Sequence, residues 1–238
     1  YVFGYEINRA RNQPGWHWEN SYPPHYTWNF MNQGEQYVGV NFLQSFDILR
    51  SQGQMTSSVY GNDTAYSFTG WVNGYDQYFS GMSNRLKKVN AIQVNSEEGI
   101  LLLKHFLFDH LDGSPTGGIA CFTTSSATLV NMEQLPAGTP EAGKNIIQAW
   151  YNAPTHGLTI VGYNDSIRFD RNNDGQYTNH LDITGDGVKD ARDWEIGGFK
   201  IANSYGYWWS NDGFAYALYS SFAYDYPWSG IWNNRVYV

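Results

Sequence analysis

Five short β-prone runs constrain the fold of this sequence more than any other feature. Each run is bounded by Gly, Asn or Asp, and together they span residues 91–94, 118–123, 158–163, 198–202 and 214–219. Runs of this length with turn residues at both ends are typical of strands joined by short connections. The second half of the chain is therefore predicted to form a mostly antiparallel sheet.

Helical periodicity occurs mainly before and among these runs. The clearest case follows Asn95–Glu98, where a capping residue and early carboxylates precede apolar positions at Ile100, Leu103 and Phe106. Shorter helices are predicted over residues 2–11 and 40–51, and the rest of the first 36 residues reads as a structured loop rich in Pro, Asn and aromatic residues. Helices come first and strands later, so the predicted fold class is α+β.

The composition excludes several classes of protein. Aromatic residues make up 18% of the 238 residues and charged residues 15%, which argues against disorder and for one domain, or two lobes sharing a core. The net charge of -8 and the lack of any basic run disfavour nucleic-acid and anionic-membrane partners, and no apolar run is long enough to predict a transmembrane segment. The single cysteine, Cys121, excludes an internal disulfide framework and a cysteine zinc site.

Two consecutive acidic segments follow the pattern of calcium-binding loops: the first loop, residues 170–181, and the second loop, residues 182–193. Ca2+ takes six to eight oxygen ligands, which alternate positions of a twelve-residue loop supply around a glycine at position six. The predicted ligands are Asp170, Asn172, Asp174, Gln176 and Thr178 in the first loop and Asp182, Thr184, Asp186, Val188, Asp190 and Asp193 in the second.

The two loops differ at position twelve. The second loop has Asp193 there, whereas the first has Leu181 and lacks a carboxylate unless Asp182 bridges two ions. Residues 165–195 contain eight acidic and four basic residues, so this segment carries -4 of the net charge and would be stabilised by a cation. No helical pattern flanks the loops on both sides, so we interpret residues 165–195 as an insertion between two strands that binds one or two structural Ca2+ ions. The alternative is an acidic surface turn that binds nothing.

Several features favour an extracellular protein. Lysine is scarce, Asn, Gly and aromatic residues are abundant, and weak calcium sites fill at extracellular calcium concentrations. Asn62 and Asn164 also begin glycosylation sequons, although such short patterns are common by chance. We therefore expect a secreted or cell-surface protein.

Three motifs carry a resemblance to a known family. His156-Gly-Leu-Thr-Ile-Val-Gly-Tyr163 is followed by Phe199-Lys-Ile-Ala-Asn203-Ser-Tyr-Gly206, and then by Trp209-Ser-Asn-Asp-Gly213-Phe214. In this order they resemble the papain-like cysteine peptidases, which read H-A-V-x-x-V-G-Y, F-K-I-x-N-S-W-G and W-G-x-x-G-Y. The segments 46–53 and 89–123 also resemble the family, so the resemblance covers most of the chain.

The resemblance implies a single papain-like domain over residues 1–238. Residues of about 1–88 would form a mainly helical lobe, and about 89–238 a β-sheet or barrel lobe that carries the insertion. It also implies that His156 is the general base and imidazolium partner of a thiolate, and that Asn203 orients the imidazole ring. Trp209, with Tyr205 replacing a usual Trp, would shield their hydrogen bond from water. The implied activity is hydrolysis of peptide bonds in a polypeptide substrate.

The nucleophile that this chemistry requires is missing from its expected position. One alignment matches Asn32-Gln33-Gly34 to the family's oxyanion-hole segment and places Gly39 at the nucleophile, which would make the protein inactive. A second alignment matches residues 1–11 to the segment after the nucleophile helix, so that the cysteine would lie upstream of Tyr1 in the same precursor. Cys121 stands in a β-prone run, where cysteine is usually a buried, slowly reacting residue.

Three functions therefore remain open. The first is a secreted, calcium-stabilised peptidase whose nucleophile lies upstream of Tyr1. The second is a catalytically inactive papain-fold protein with a binding or structural role. In the third, aromatic side chains stack on glycans; the candidates are Trp16, Trp18, Trp208, Tyr224, Tyr226, Trp228 and Trp232.

Overall fold

The computed structural model describes residues 1–35, 37–60, 74–130 and 132–238. The chain divides into two compact units, Tyr1–Val89 and Asn90–Val238. The sequon at Asn62 lies outside the described residues. In the part of the chain that is described, no helix combines the length and the apolar character needed to span a membrane.

The first unit is helical in its described parts. Its helices are α1 Val2–Ala10, α2 His25–Asn29, α3 Phe42–Ser51, α4 Ser57–Tyr60 and α5 Tyr75–Met82. Helices α1 and α3 confirm the two predicted from periodicity, and α3 begins where the Asn41 side chain accepts a hydrogen bond from the Leu43 N–H at 2.8 Å. The expectation of a loop throughout the rest of the first 36 residues was wrong, because α2 and a short 3-10 turn at Trp18–Asn20 form there.

The first unit has a small core of its own. Tyr26 and Tyr60 meet edge to face with ring centroids 5.4 Å apart, and Met55 is fully buried beside them. The buried Gln54 side chain donates to the Pro23 carbonyl at 2.6 Å, which ties the chain after α3 to the segment before α2. This core joins segments that are distant in sequence, so no apolar periodicity in the sequence predicts it.

The second unit contains a mixed sheet and two helices. In chain order its elements are β1 Ala91–Gln93, α6 Glu97–Asp109, β2 Ala120–Thr124, β3 Glu133–Gln134, β4 Asn145–Ile147, β5 His156–Arg168, β6 Ile196–Ala202, β7 Phe214–Leu218, α7 Tyr219–Ala223 and β8 Arg235–Tyr237. The strand order across the sheet is β1-β8-β2-β5-β6-β7-β4-β3. The predicted α+β class is confirmed.

The sheet agrees with the sequence prediction for five strands and adds three that were not predicted. All five predicted β-prone runs contain strands, and the pairs are antiparallel except β4 and β7, which are parallel. Strands β3, β4 and β8, of two or three residues each, lie outside these runs and were not predicted. Tyr219 was predicted at the end of a strand but begins α7.

An aromatic cluster fills the core of the second unit. Phe122 of β2 packs edge to face on Trp150 and on Phe222 of α7, with ring centroids 5.1 and 5.3 Å apart, and Phe199 of β6 also contacts Phe222 at 5.1 Å. Complete burial of one such side chain stabilises the fold by about 1.5–3 kcal/mol. Because β2 and β6 flank β5 in the sheet, this cluster fixes the strand that begins at His156.

Gly99 in α6 provides a test of this packing. A Cβ atom at Gly99 would lie 1.8 Å from the Gln93 carbonyl oxygen, although alanine forms helices better than glycine by about 1 kcal/mol. We predict that Gly99→Ala lowers the free energy of unfolding by about 1–3 kcal/mol, because backbone atoms must move to accommodate the methyl group. Denaturant unfolding measures the change. Gly162→Ala, whose Cβ would meet nothing within 4 Å, is the control and should change stability by less than about 0.5 kcal/mol; equal losses would contradict the packing described.

Candidate active site

The pairing of β5 and β6 places His156 and Asn203 at the same end of the sheet. His156 is the first residue of β5, and Asn203 directly follows the last residue of β6. The strands are antiparallel, with Thr159 opposite Ala202. The start of β5 therefore lies beside the end of β6, as adjacent residues in a sheet do.

The two side chains form a hydrogen bond whose direction can be assigned. His156 Nε2 lies 2.9 Å from Asn203 Oδ1, and the Tyr205 N–H donates to the same oxygen at 3.3 Å. An amide oxygen only accepts, so Nε2 carries the proton and donates. In the neutral ring Nδ1 is then the nitrogen with a free lone pair.

The surroundings of this pair hold it in place. Asn203 is 3% exposed, and its N–H donates to the Gly213 carbonyl at 3.1 Å, which closes the loop after β6. The Tyr205 ring lies over the imidazole with centroids 4.8 Å apart. Trp209 is half-buried against the main core. The shielding role assigned to Trp209 stays a prediction.

Cys121 lies in β2, three residues along the strand from the residue that pairs with His156. It pairs with Thr159 of β5, whereas His156 pairs with Thr124, three residues further along β2. At about 3.4 Å per residue this separates the two residues by roughly 10 Å along the strand. Burial raises the pKa of the Cys121 thiol to about 12, so the thiol stays protonated at neutral pH. Gly39, the other candidate position, lies in coil before α3.

The second loop is ordered by its own carboxylates. Asp182 accepts from the Gly187 N–H at 2.8 Å, which lowers the pKa of that carboxyl, and Asp186 accepts from the Val188 N–H at 2.8 Å. The Arg192 guanidinium lies 2.7 Å from both Asp186 and Asp190, and its hydrogen bond lowers the pKa of Asp190. The pKa values of Asp182 and Asp190 are thus both held below the ordinary value of a carboxyl group.

The first loop repeats this arrangement at the same positions. Asp170 accepts from the Gly175 N–H at 2.8 Å, and Asp174 accepts from the Gln176 N–H at 2.8 Å. Gly175 and Gly187, both at position six, have φ of +80° and +84°, a conformation in which glycine is favoured. The predicted glycine-dependent turn is thus present in both loops.

Neither loop gathers its acidic side chains at one point. Among residues 1–35, 37–60, 74–130 and 132–238, no three or more His, Cys, Asp or Glu side chains group so as to hold a metal ion. The remaining predicted donors are Asn, Thr and carbonyl oxygens, which are ligands that Ca2+ accepts. The site residue that sequence analysis missed is Glu195, which is fully buried. It stands outside both twelve-residue loops, so no spacing rule selects it.

The aromatic residues proposed for glycan stacking have different environments. Trp16, Trp208 and Trp228 are more than 80% exposed. Tyr224 is half-buried, and its hydroxyl accepts from the Arg171 guanidinium at 2.7 Å, so it belongs to the support of the acidic loops.

Comparison with known proteins gives structural matches only. No protein-family model matches the sequence, and no curated protein matches it. The structure is similar over 100% of this chain to SERA5E from Plasmodium falciparum, with a TM-score of 0.50, 13% identity and coverage of 82% of that chain. It is also similar over its full length to digestive procathepsin L2 proteinase from Tenebrio molitor larval midgut, with a TM-score of 0.52, 12% identity and 60% of that chain covered.

A bacterial structure gives the same result. Xylellain, a cysteine protease from Xylella fastidiosa, matches 100% of this chain and 75% of its own, with a TM-score of 0.52 and 12% identity. At these identities the likeness concerns the fold. This chain has a papain-like α+β fold.

Proposed function

We propose that this chain is the larger part of a secreted, calcium-stabilised cysteine peptidase that hydrolyses peptide bonds of polypeptides. The observation that carries the proposal is the 2.9 Å hydrogen bond from His156 Nε2 to Asn203 Oδ1, formed at the adjoining ends of two paired strands. The papain-like fold of the cysteine protease xylellain supports the same chemistry. The nucleophilic cysteine is proposed to lie upstream of Tyr1 in the precursor.

The hydrogen bond to Asn203 supports a separate role for each nitrogen of His156. Nε2–H donates to Asn203 Oδ1, so the lone pair of Nδ1 is available to take the proton of a thiol. The resulting thiolate attacks the peptide carbonyl, and Nδ1–H then protonates the leaving amine. Water hydrolyses the acyl-enzyme, and Asn203 keeps the ring in one orientation throughout.

Cys121 does not suit the role of nucleophile. It pairs opposite Thr159, and His156 pairs opposite Thr124, so the thiol lies roughly 10 Å along the strand from the level of the imidazole. A catalytic thiol is also activated by a lowered pKa, and burial raises that of Cys121.

We predict that Cys121 reacts very slowly with a thiol-directed reagent in the folded protein. With a pKa of about 12, about one thiol in ten thousand is ionised at pH 8. A chromogenic disulfide reagent should label it at least about a hundredfold more slowly in the folded state than in denaturant. Rapid labelling of folded Cys121, mapped by peptide mass spectrometry, would contradict its assignment as an unreactive residue of β2.

The proposed roles predict unequal effects in the full-length precursor after maturation. His156→Ala should lower kcat/KM on a peptide substrate by more than about a thousandfold, because no group remains to move the proton. Asn203→Ala should cause a smaller loss, on the order of tenfold to a hundredfold, because the His156 imidazole remains and loses only the hydrogen bond that orients it. Steady-state hydrolysis of a fluorogenic peptide measures both.

The matched control is His105→Ala, which removes an exposed histidine from α6 and should leave the rate unchanged. Full activity of the His156→Ala protein would contradict the proposed mechanism. If the wild-type precursor itself shows no hydrolysis, the alternative is favoured: an inactive papain-fold protein with a binding or structural role, for which the very exposed Trp208 offers a glycan-stacking surface.

We also propose that the two loops bind structural Ca2+ and that the protein works outside the cell, where such sites fill. The support is the shared order of the loops, with a positive-φ glycine at position six and aspartates at positions one and five that accept backbone N–H bonds. Oxygen donors at alternating positions are the ligand set of Ca2+.

Removal of calcium should therefore lower the melting temperature. At a hundredfold excess of Ca2+ over the dissociation constant, binding stabilises the folded state by about 2.7 kcal/mol per site. For a chain of this size each kcal/mol shifts the melting temperature by about 2–4 °C. Differential scanning calorimetry with and without a calcium chelator measures the shift. The chelator should have no effect on an Asp170→Asn, Asp182→Asn double variant, and an unchanged wild-type melting temperature would show that the loops are not metal sites.

A further inference from the structure

Glu195 lies outside the first loop but accepts hydrogen bonds from it that match those accepted by position twelve of the second loop. The first loop has Leu181 at position twelve, so its own sequence lacks the last carboxylate. Glu195 stands 25 residues after Asp170, immediately before β6.

In the second loop, Asp193 at position twelve accepts two characteristic hydrogen bonds. The Ile183 N–H, at position two, donates to Oδ1 at 3.1 Å, and the Asp190 N–H, at position nine, donates to Oδ2 at 3.0 Å. The twelfth carboxylate is thereby held across the loop, with one oxygen at each side.

Glu195 accepts the equivalent pair in the first loop. The Arg171 N–H, at position two, donates to Oε1 at 2.8 Å, and the Thr178 N–H, at position nine, donates to Oε2 at 2.9 Å. The same two positions thus present the same donors to a carboxylate in each loop. In the first loop that carboxylate comes from outside the twelve residues.

Within the described residues, Glu195 is buried without a cationic side chain beside it. Its side chain is 0% exposed, and no Lys, Arg or His side chain of the described residues forms an ion pair with it. The Arg171 guanidinium is engaged elsewhere, with the Arg192 carbonyl and the Tyr224 hydroxyl. Buried charges in proteins are paired or coordinate metals.

A second side chain at the same place also lacks a partner. Thr178 is 7% exposed, and its hydroxyl oxygen is buried without a hydrogen-bond partner among the described residues. The Thr178 N–H donates to Glu195, so the unpartnered Thr178 hydroxyl belongs to a residue that contacts the buried carboxylate. Position nine is a ligand position of calcium loops.

We infer that Glu195 supplies the missing carboxylate, so that the first loop binds its own Ca2+ ion through oxygens of Asp170, Asn172, Asp174, Gln176, Thr178 and Glu195. This inference rests on the proposal that the loops are calcium sites.

The involvement of Glu195 gives the first ion a role that the second cannot have. All the ligands of the second loop lie within residues 182–193, whereas Glu195 adjoins β6 and its carbonyl accepts from Phe169 at the end of β5 at 2.9 Å. The first ion would connect the end of β5 to the start of β6. These strand ends are the ones far from His156 and Asn203.

Calcium stoichiometry of the decalcified full-length protein, measured by isothermal titration with Ca2+, tests the inference. The wild type should bind two ions per chain and Glu195→Gln one, because the amide removes the charge but keeps one acceptor oxygen. Asp186→Asn should lose the other site. Asp165→Asn is the control: it removes an acidic charge from the same segment outside both loops and should still bind two ions. Circular dichroism verifies that each variant is folded.

The outcomes separate this inference from the calcium proposal itself. Two ions on Glu195→Gln, or one ion on the wild type that only Asp186→Asn removes, would overturn the role of Glu195 while the second loop remained a calcium site. No binding to the wild type would overturn both. If Glu195→Gln does not fold, Glu195→Asp is used: its shorter side chain should weaken one site by more than about tenfold and leave the other unchanged. Equal affinities at both sites in that variant would also overturn the inference.

Discussion

The antiparallel pairing of β5 and β6 is the constraint on which the rest of the second unit depends. The register that places Thr159 opposite Ala202 brings the first residue of β5 beside the residue after β6, and so creates the His156–Asn203 hydrogen bond. A one-residue shift would turn every side chain of one strand to the other face of the sheet. The fully buried Ile160, which faces Ile201 in this register, makes such a shift costly.

The same strand pair carries the acidic loops at its other end. Residues 169–195 connect β5 to β6, and the pairing of Arg168 with Ile196 closes the base of this connection. The candidate catalytic pair and the proposed calcium sites therefore lie at the two ends of one strand pair, separated by the seven residues of β6, roughly 20 Å. The proposed Ca2+ ions would stabilise the pairing and take no part in the chemistry.

The sequence predicted what depends on local patterns and missed what depends on distant ones. The α+β class, α6 and the strands that flank His156 and Asn203 follow from apolar periodicity and turn residues. The parallel strand β4 was missed because its three residues gain their pairing from β7, about seventy residues later. Glu195 was missed for a similar reason, since its bonds to Arg171 and Thr178 depend on the closure of a loop.

The proposed function requires that His156 and Asn203 serve a thiolate on a cysteine that precedes Tyr1 in the precursor. The most direct test is covalent labelling of the intact precursor with a peptide bearing a thiol-reactive electrophile, followed by mass-spectrometric mapping of the labelled residue. The predicted result is one adduct, on a cysteine before Tyr1, that disappears when His156 is replaced. An adduct on Cys121 alone, or no adduct on the folded wild type, would contradict it.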